Sequence, residues 1–224
     1  MFPLRDSTPR TTFPYINYAI ILLNIVVFVY QLFLPNMDRF IYQYAFIPKE
    51  FNVADLKSYF YIFTSMFMHG GIFHLVSNVW FLHIFGDNVE DEIGHIRYLI
   101  FYLLAGIAAT LLQYAFITQS EIPMIGASGA ISGVAGAYFF LFRKSKVVTL
   151  VTYFFWIWDI VELPVWFFLG YWFIIQLFAS IGSVVAFKLN SGGVAYLAHL
   201  GGFLFGYVVV RFLPLRRHGQ YVPL

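Results

Sequence analysis

Six long apolar stretches, near residues 15–34, 63–85, 97–117, 126–142, 164–187 and from 194 onward, constrain this chain more than any motif does. Stretches of this length are at home in lipid. Lipid offers no partner for a bare N–H or C=O, so each is predicted to be a helix that pairs its own backbone. Composition points the same way: 61% of the 224 residues are hydrophobic, 22% aromatic and 11% charged, and the mean hydropathy is +0.77. The expected class is an all-α polytopic membrane protein. A formal net charge of +2 is too small to suggest nucleic acid. The absence of cysteine removes disulfides, thiolate catalysis and zinc–thiolate sites. The first stretch is too long for a signal-peptide core and shows no small-residue cleavage site, which predicts a retained first helix.

Charge decides the expected topology. Residues 147–187 are forty-one mostly apolar residues broken by Asp159, Glu162 and Pro164, with room for one crossing or two. A crossing from Val147 to Leu163 makes seven spans and puts Arg211, Arg216 and Arg217 opposite Arg143, Lys144 and Lys146. Six spans gather Arg5, Arg10, Arg97 and those six on one side. That is nine basic residues against Arg39, Lys49, Lys57 and Lys188 on the other, and basic residues collect on the inner side. Six spans are expected, with a membrane domain at 15–213 between cytoplasmic tails 1–14 and 214–224, and with Lys146 to Glu162 on the inner face. Residues 35–62 mix charges with aromatic side chains, which predicts short amphipathic helices in the membrane interface. Gly86 to Gly94 reads as an acidic loop and residues 188–193 as a short flexible connection. Asn17, Asn24 and Gln31, spaced by seven, share a helix face and should pack against other helices.

In that topology several polar residues fall at one depth. His74 and Asn78 are four apart on the second span, Ser128 opens the fourth, and His199 lies early in the sixth. Gly126-Ala127-Ser128-Gly129, just after Pro123, sets Ser128 in a first helical turn, where unpaired N–H groups and the positive dipole end can hold an oxyanion. His199, Gly202 and Gly206 share one face that carries almost no side chain. It could press against Gly129, Gly133 and Gly136, and helix packing alone would account for those small residues. The common depth is what points to chemistry. Ser128 is the candidate nucleophile and His199 its base, with His74, Asn78 and the Ser128 N–H as oxyanion donors and Gly126 beside them. No carboxylate shares that depth, so packing is expected to fix the imidazole. A metal held by His69, His74 and His199 is disfavoured, because no carboxylate or thiol joins them and a spacing of five turns His69 and His74 apart on a helix. No cofactor is expected.

These residues resemble the motifs of the rhomboid family of intramembrane serine proteases. The matching elements are His74-x-x-x-Asn78, Gly126-Ala127-Ser128-Gly129 and Ala198-His199-x-x-Gly202-x-x-x-Gly206, with Phe63-Thr64-Ser65 ahead of His69 and Gly86-x-x-x-Glu90-x-x-x-Gly94. The resemblance spans roughly residues 15–213. It implies a six-helix rhomboid-like bundle and cleavage of transmembrane protein substrates by a Ser128/His199 dyad near the outer face of the bilayer. His74, Asn78 and Gly126 would support the oxyanion, and the fifth helix and last loop would gate entry. Membrane lipid and transmembrane proteins are the implied partners, and a prokaryotic cell membrane with both termini cytoplasmic is the expected location. Phe60-Tyr61 stands where many members carry Trp-Arg, and Ser132 where some place an aromatic ring against the imidazole. A catalytically inactive scaffold for client membrane proteins would share the fold, though it would usually lack Ser128 or His199. A transporter would need internal repeats and a continuous polar path. No such repeat is present.

Overall fold

A computed structural model describes residues 1–153, 157–189 and 193–216. In chain order the elements are β1 (Phe2–Asp6), α1 (Tyr15–Leu32), α2 (Met37–Tyr44), α3 (Leu56–Ser65), α4 (Ile72–Ile93), α5 (His95–Phe116), α6 (Ser128–Leu141), β2 (Lys146–Tyr153), β3 (Ile157–Pro164), α7 (Val165–Lys188) and α8 (Tyr196–Val209). By length and composition α1, α5 and α7 can cross a membrane, and α6 and α8 are shorter apolar helices. The short helices expected within residues 35–62 are α2 and α3.

Helix α6 lies at the centre, buried from Gly129 to Tyr138 and packed between α5 and α8. Missing side chains make that possible. A Cβ on Gly136 would fall 2.0 Å from the Phe203 carbonyl oxygen, one on Gly202 2.0 Å from that of Gly129, and one on Gly206 1.9 Å from that of Gly133. On its other side, Gly133 and Gly129 meet the methyls of Ala105 and Ala109 on α5. Backbone therefore touches backbone, and dispersion between close helices replaces the hydrophobic drive that lipid cannot supply.

Helix α1 is attached through two of its three amides, Asn17 and Gln31. Asn17 Nδ2 donates to the Leu82 carbonyl (3.1 Å) and its Oδ1 accepts from the Tyr98 hydroxyl (2.7 Å). Gln31 exchanges two 3.1 Å bonds with the backbone of His69. Asn24 turns back to the Ile20 carbonyl of its own helix. Gly86 leaves room for this, since a Cβ there would lie 2.1 Å from Asn17 Oδ1.

The acidic stretch Gly86 to Gly94 is not a loop. It forms the last turns of α4, and its carboxylates are used by the N-terminal segment. Glu90 accepts from the N–H groups of Ile16 (3.0 Å) and Asn17 (2.6 Å), and Asp91 from those of Thr11 (2.6 Å) and Thr12 (2.9 Å). The first amides of a helix have no intrahelical acceptor and favour a negative charge, so Glu90 of α4 caps the start of α1 while Asp91 holds the segment that leads into it. Residues 1–14 are accordingly docked rather than a free tail. Trp80 donates to the Pro3 carbonyl (2.7 Å) and the Tyr138 hydroxyl to Asp6 (2.5 Å). Burial raises the Asp6 pKa, while the Tyr138 hydroxyl pulls it down.

The all-α expectation fails between Lys146 and Pro164. These residues form a hairpin in which Lys146 faces Pro164 and Tyr153 faces Ile157, and β1 pairs antiparallel along the other edge of β2. Val147, Val148, Thr149, Val151, Thr152, Ile160 and Val161 are β-branched, the type that suits a pleated strand. Hydropathy alone does not distinguish such a run from a helix. The Val165 N–H donates to the Ser145 carbonyl (2.8 Å), so the chain enters β2 and leaves β3 at one place. Arg216 N–H reaches the Glu92 carbonyl (2.7 Å), and Arg97 reaches that of Pro214 (3.1 Å). The described part of the C-terminal tail is thus held at the same end. The flexibility expected of residues 190–192 and the tail beyond Arg216 lie outside the described residues.

Gly206→Leu is expected to destabilise the protein by at least about 1–3 kcal/mol, through overpacking against rigid backbone. Gly182 on α7 has nothing within 4 Å of a built Cβ. Gly182→Leu should therefore leave the thermal midpoint in detergent unchanged. Equal midpoints for the two variants would refute the close α6–α8 contact.

Candidate active site

The segment before α6 is fixed from below. Met124 N–H donates to the Phe46 carbonyl (2.8 Å) and Gly126 N–H to that of Ser65 (2.9 Å), which ties it to α3 and to the residues after α2. An apolar cluster of Phe46, Ile62, Ile117, Met124 and Phe187 sits beneath. That packing, with the Thr64 hydroxyl on the Tyr44 carbonyl (2.6 Å), fastens α3, the helix that carries Phe60-Tyr61. Gly126 has φ +118°, a conformation that L side chains rarely adopt, and a Cβ there would lie 2.6 Å from His74 Nε2.

The chain then turns into α6 with Ser128 as its first residue. The amides of that turn have no intrahelical acceptor. His199 comes from the first turn of α8, whose start is held by Gln113 of α5 accepting from the Ala198 N–H (3.1 Å). Ser128 Oγ and His199 Nε2 are 2.8 Å apart.

The other ring nitrogen, His199 Nδ1, faces Gln176 Oε1 of α7 at 2.7 Å. Trp172, one turn earlier on α7, stacks on the imidazole with ring centres 6.1 Å apart and planes 29° apart. Tyr196 meets it edge-on at 5.9 Å. Packing is expected to fix His199 in place of a carboxylate; the Trp172 indole does pack on it, and the Gln176 amide, which that expectation lacks, holds it as well. Ser132 does not contribute, since its hydroxyl donates to the Ser128 carbonyl (2.6 Å). A signal for Gln176 was present in the sequence. A glutamine inside an apolar helix, four residues after a tryptophan, requires a partner, for the reason that applies to Gln113.

Asn78 is buried and its Nδ2 lies 3.0 Å from His69 Nε2. The expected separation of His69 from His74 is wrong, because His69 precedes the start of α4 at Ile72 and helical spacing does not apply to it. Their ring centres are 5.0 Å apart. An amide nitrogen carries two hydrogens, so Asn78 keeps one donor beyond the His69 contact. Among the described residues, no three His, Asp or Glu side chains are grouped to hold a metal ion. Asp159 and Glu162 lie on β3, and Glu162 pairs with Lys146 at 2.8 Å.

A cavity of about 140 Å³ opens beside the pair, lined by Asn78 and Phe81 of α4, Ser128 and Ser132 of α6, Trp172 of α7, and His199. A smaller one, about 40 Å³, lies behind Ser128 between α3, α5 and α6. The geometry joins Ser128 with His199, puts Asn78 on the same cavity, and sets His74 and Gly126 against each other two residues before Ser128. A hydroxyl in contact with an imidazole, beside unpaired amides and a free amide donor, is equipped for acyl transfer.

The model of the Rhomboid domain family matches residues 57–216. RHOMBOID-like protein 6, mitochondrial, of Arabidopsis thaliana is 32% identical over 146 residues, covering 65% of this chain and 41% of the relative. Rhomboid protein 1, mitochondrial, of Saccharomyces cerevisiae is 30% identical over 195 residues, 84% of this chain and 50% of the relative. Rhomboid protease GluP of Bacillus subtilis is 27% identical over 177 residues, 79% of this chain and 30% of the relative. The chain spans half or less of the length of these relatives.

Gly126→Ala is expected to loosen the turn into α6 while the bundle persists. A left-handed residue with a Cβ costs roughly 1–2 kcal/mol, before the collision with His74 is counted. Hydrogen exchange in the peptide spanning residues 120–131 should quicken about tenfold or more, with α5 and α7 unchanged. Unaltered exchange in that peptide would show that the position tolerates a side chain.

Proposed function

This chain belongs to the rhomboid family, and on that premise we propose that it is an intramembrane serine endopeptidase that cleaves transmembrane protein substrates with Ser128 and His199. The observation that carries the proposal is the 2.8 Å contact between Ser128 Oγ and His199 Nε2 at the first turn of a buried helix. Family membership alone does not decide activity, since one relative is named a protease and others are named rhomboid-like.

In this reading His199 Nε2 takes the Ser128 proton as Oγ attacks the peptide carbonyl carbon. The oxyanion that forms is held by the first amides of α6 and by the second hydrogen of the Asn78 amide, with His74 and Gly126 bordering the site. The imidazolium then gives its proton to the leaving amine, the C–N bond breaks, and an acyl-enzyme remains. Water, deprotonated by the same nitrogen, releases the acid and restores Ser128. The dipole of α6 favours the negative charge that develops, a term present only once attack has begun.

The protein is an integral membrane protein, and we read α1, α4, α5, α6, α7 and α8 as its six crossings within residues 15–213. Support comes from the ends of the bundle. The N-terminal segment, the α4–α5 junction, residues 143–146 and residues 214–216 meet at one end, which brings Arg10, Arg97, Lys146 and Arg216 together. The positive-inside rule makes that end cytoplasmic. Lys49 pairs with Glu121 in the loops of the other end. With 14 residues α6 is about 21 Å long, shorter than a hydrocarbon core of about 30 Å, so Ser128 lies below the outer surface. The cavity beside Ser128 faces the gap between α4 and α7, where Phe81 and Trp172 meet at 6.4 Å, and a substrate helix would enter there. The relatives' names include mitochondrial and bacterial proteins, so they give no support to the expectation of a prokaryotic membrane.

The test is cleavage of a model transmembrane substrate in proteoliposomes. Ser128→Ala and His199→Ala should each lower kcat by about 10³ or more, since members of one catalytic unit fail together. Asn78→Ala should lower kcat by roughly 10–100-fold and leave KM nearly unchanged, because its donor acts on a charge that exists only during reaction. Near wild-type cleavage by the Ser128→Ala protein would remove the assignment. A raised KM with intact kcat for Asn78→Ala would make Asn78 a substrate-binding residue instead.

A further inference from the structure

We propose that Gln176 of α7 is a positioning residue for His199: it fixes which ring nitrogen carries the proton, so the base is set only while α7 lies against α8. The proposal rests on the reading of Ser128 and His199 as nucleophile and base.

A neutral imidazole carries one N–H. To accept the Ser128 proton Nε2 must be bare, and the hydrogen then belongs on Nδ1. A buried N–H is costly without an acceptor, so the Nδ1 hydrogen needs one on its own side of the ring. Gln176 Oε1 faces Nδ1 at 2.7 Å, and Gln176 itself is buried, 7% exposed. The opposite tautomer would leave a bare Nδ1 against a carbonyl oxygen and aim an N–H at the hydroxyl that must lose its proton. The two contacts of the ring therefore select the same proton position. No carboxylate takes this place among the described contacts of His199.

The second half of the proposal follows from where Gln176 stands. Trp172 and Gln176 are one turn apart on α7, so one helix supplies both the ring stacked on the imidazole and the acceptor at its edge. Farther along α7, the Ser183 hydroxyl donates to the Val194 carbonyl (2.7 Å), which ties this helix to the segment entering α8. The outer face of α7 is bare of protein, with Trp166, Tyr171, Ile174, Phe178 and Ile181 exposed. Moving α7 outward would remove the stack and the acceptor together and leave Ser128 with an unoriented base.

The test compares wild type with Gln176→Met, which keeps the length without the acceptor, and Gln176→Glu, which keeps an acceptor and adds charge. Nitrogen-15 spectra of labelled histidine, with the His199 signal assigned by its loss in His199→Ala, report the tautomer directly. Wild type should show His199 protonated at Nδ1, and Gln176→Met should lose that preference. In proteoliposomes Gln176→Met should lower kcat about 10–100-fold with KM within about twofold, less than the roughly 10⁴ that a wrong tautomer costs a buried carboxylate triad, because an amide carries no charge. Gln176→Glu should keep kcat and move the acid limb of the pH–rate profile to higher pH, since a neighbouring carboxylate favours the charged ring. A Gln176→Met protein with the wild-type tautomer and wild-type kcat overturns the proposal. If that variant does not fold, an acid limb in Gln176→Glu that coincides with wild type overturns it. Wild-type protein that cleaves nothing, yet loses the Nδ1 proton on Gln176→Met, overturns the protease reading and leaves the positioning of His199 by Gln176 standing.

Discussion

The contact of α6 with α8, backbone against backbone, is the constraint on which the rest depends. Gly136 on one helix, and Gly202 and Gly206 on the other, leave carbonyl oxygens about 2 Å from where a Cβ would stand, and Gly129 and Gly133 press on the Ala109 and Ala105 methyls of α5. No side chain can be added at those points without moving a helix. Ser128 precedes the first of these glycines on α6 and His199 precedes Gly202 on α8, so the close approach brings hydroxyl and imidazole together. A serine–imidazole pair in lipid has no long side chains to bridge a gap, and here the helices themselves close it. With α5 and α4 packed on its other sides, α6 is buried from Gly129 to Tyr138.

Polar groups that pair across elements form a second frame around that contact. Glu90 and Asp91 would be costly in lipid, but they cap α1 and hold Thr11 and Thr12. Gln31 holds the backbone of His69, and His69 in turn holds the Asn78 amide. A chain of hydrogen bonds thus runs from α1 to the candidate oxyanion donor. It explains why a helix distant from Ser128 carries a buried amide at its outer end. Asn78 is thereby held by a residue of the loop that precedes α4.

The sequence made the helical elements legible because their signals are long. Helices α1, α5, α7 and α8 begin within about two residues of where hydropathy put them. The faces of Asn17/Asn24/Gln31 and of His199/Gly202/Gly206 followed from a period of 3.6. The pairing of Ser128 with His199 was inferred from depth, a property that topology carries without knowledge of contacts. What was missed depends on tertiary partners. An acidic run reads as a loop unless a second segment is known to donate to it, as Thr11, Thr12, Ile16 and Asn17 do. The β-branched run after Lys146 reads as an apolar interfacial segment unless its strand propensity is weighed against its hydropathy. The role of Gln176 rests on which face of α7 meets α8, and a helix that is apolar all round gives no such indication. His69 was misjudged because the helix was started too early, which placed a loop residue on a helical wheel.

The chemistry of this bundle turns on whether Ser128 is a nucleophile activated by His199. The most direct measurement is covalent labelling of the purified protein in lipid with a serine-reactive fluorophosphonate, with the modified residue located by peptide mass spectrometry. The account predicts a single adduct on Ser128, formed in the wild type and absent from His199→Ala although its Ser128 is intact. Labelling of Ser128 at the same rate in the His199→Ala protein, or an adduct on any other serine in place of Ser128, would contradict it.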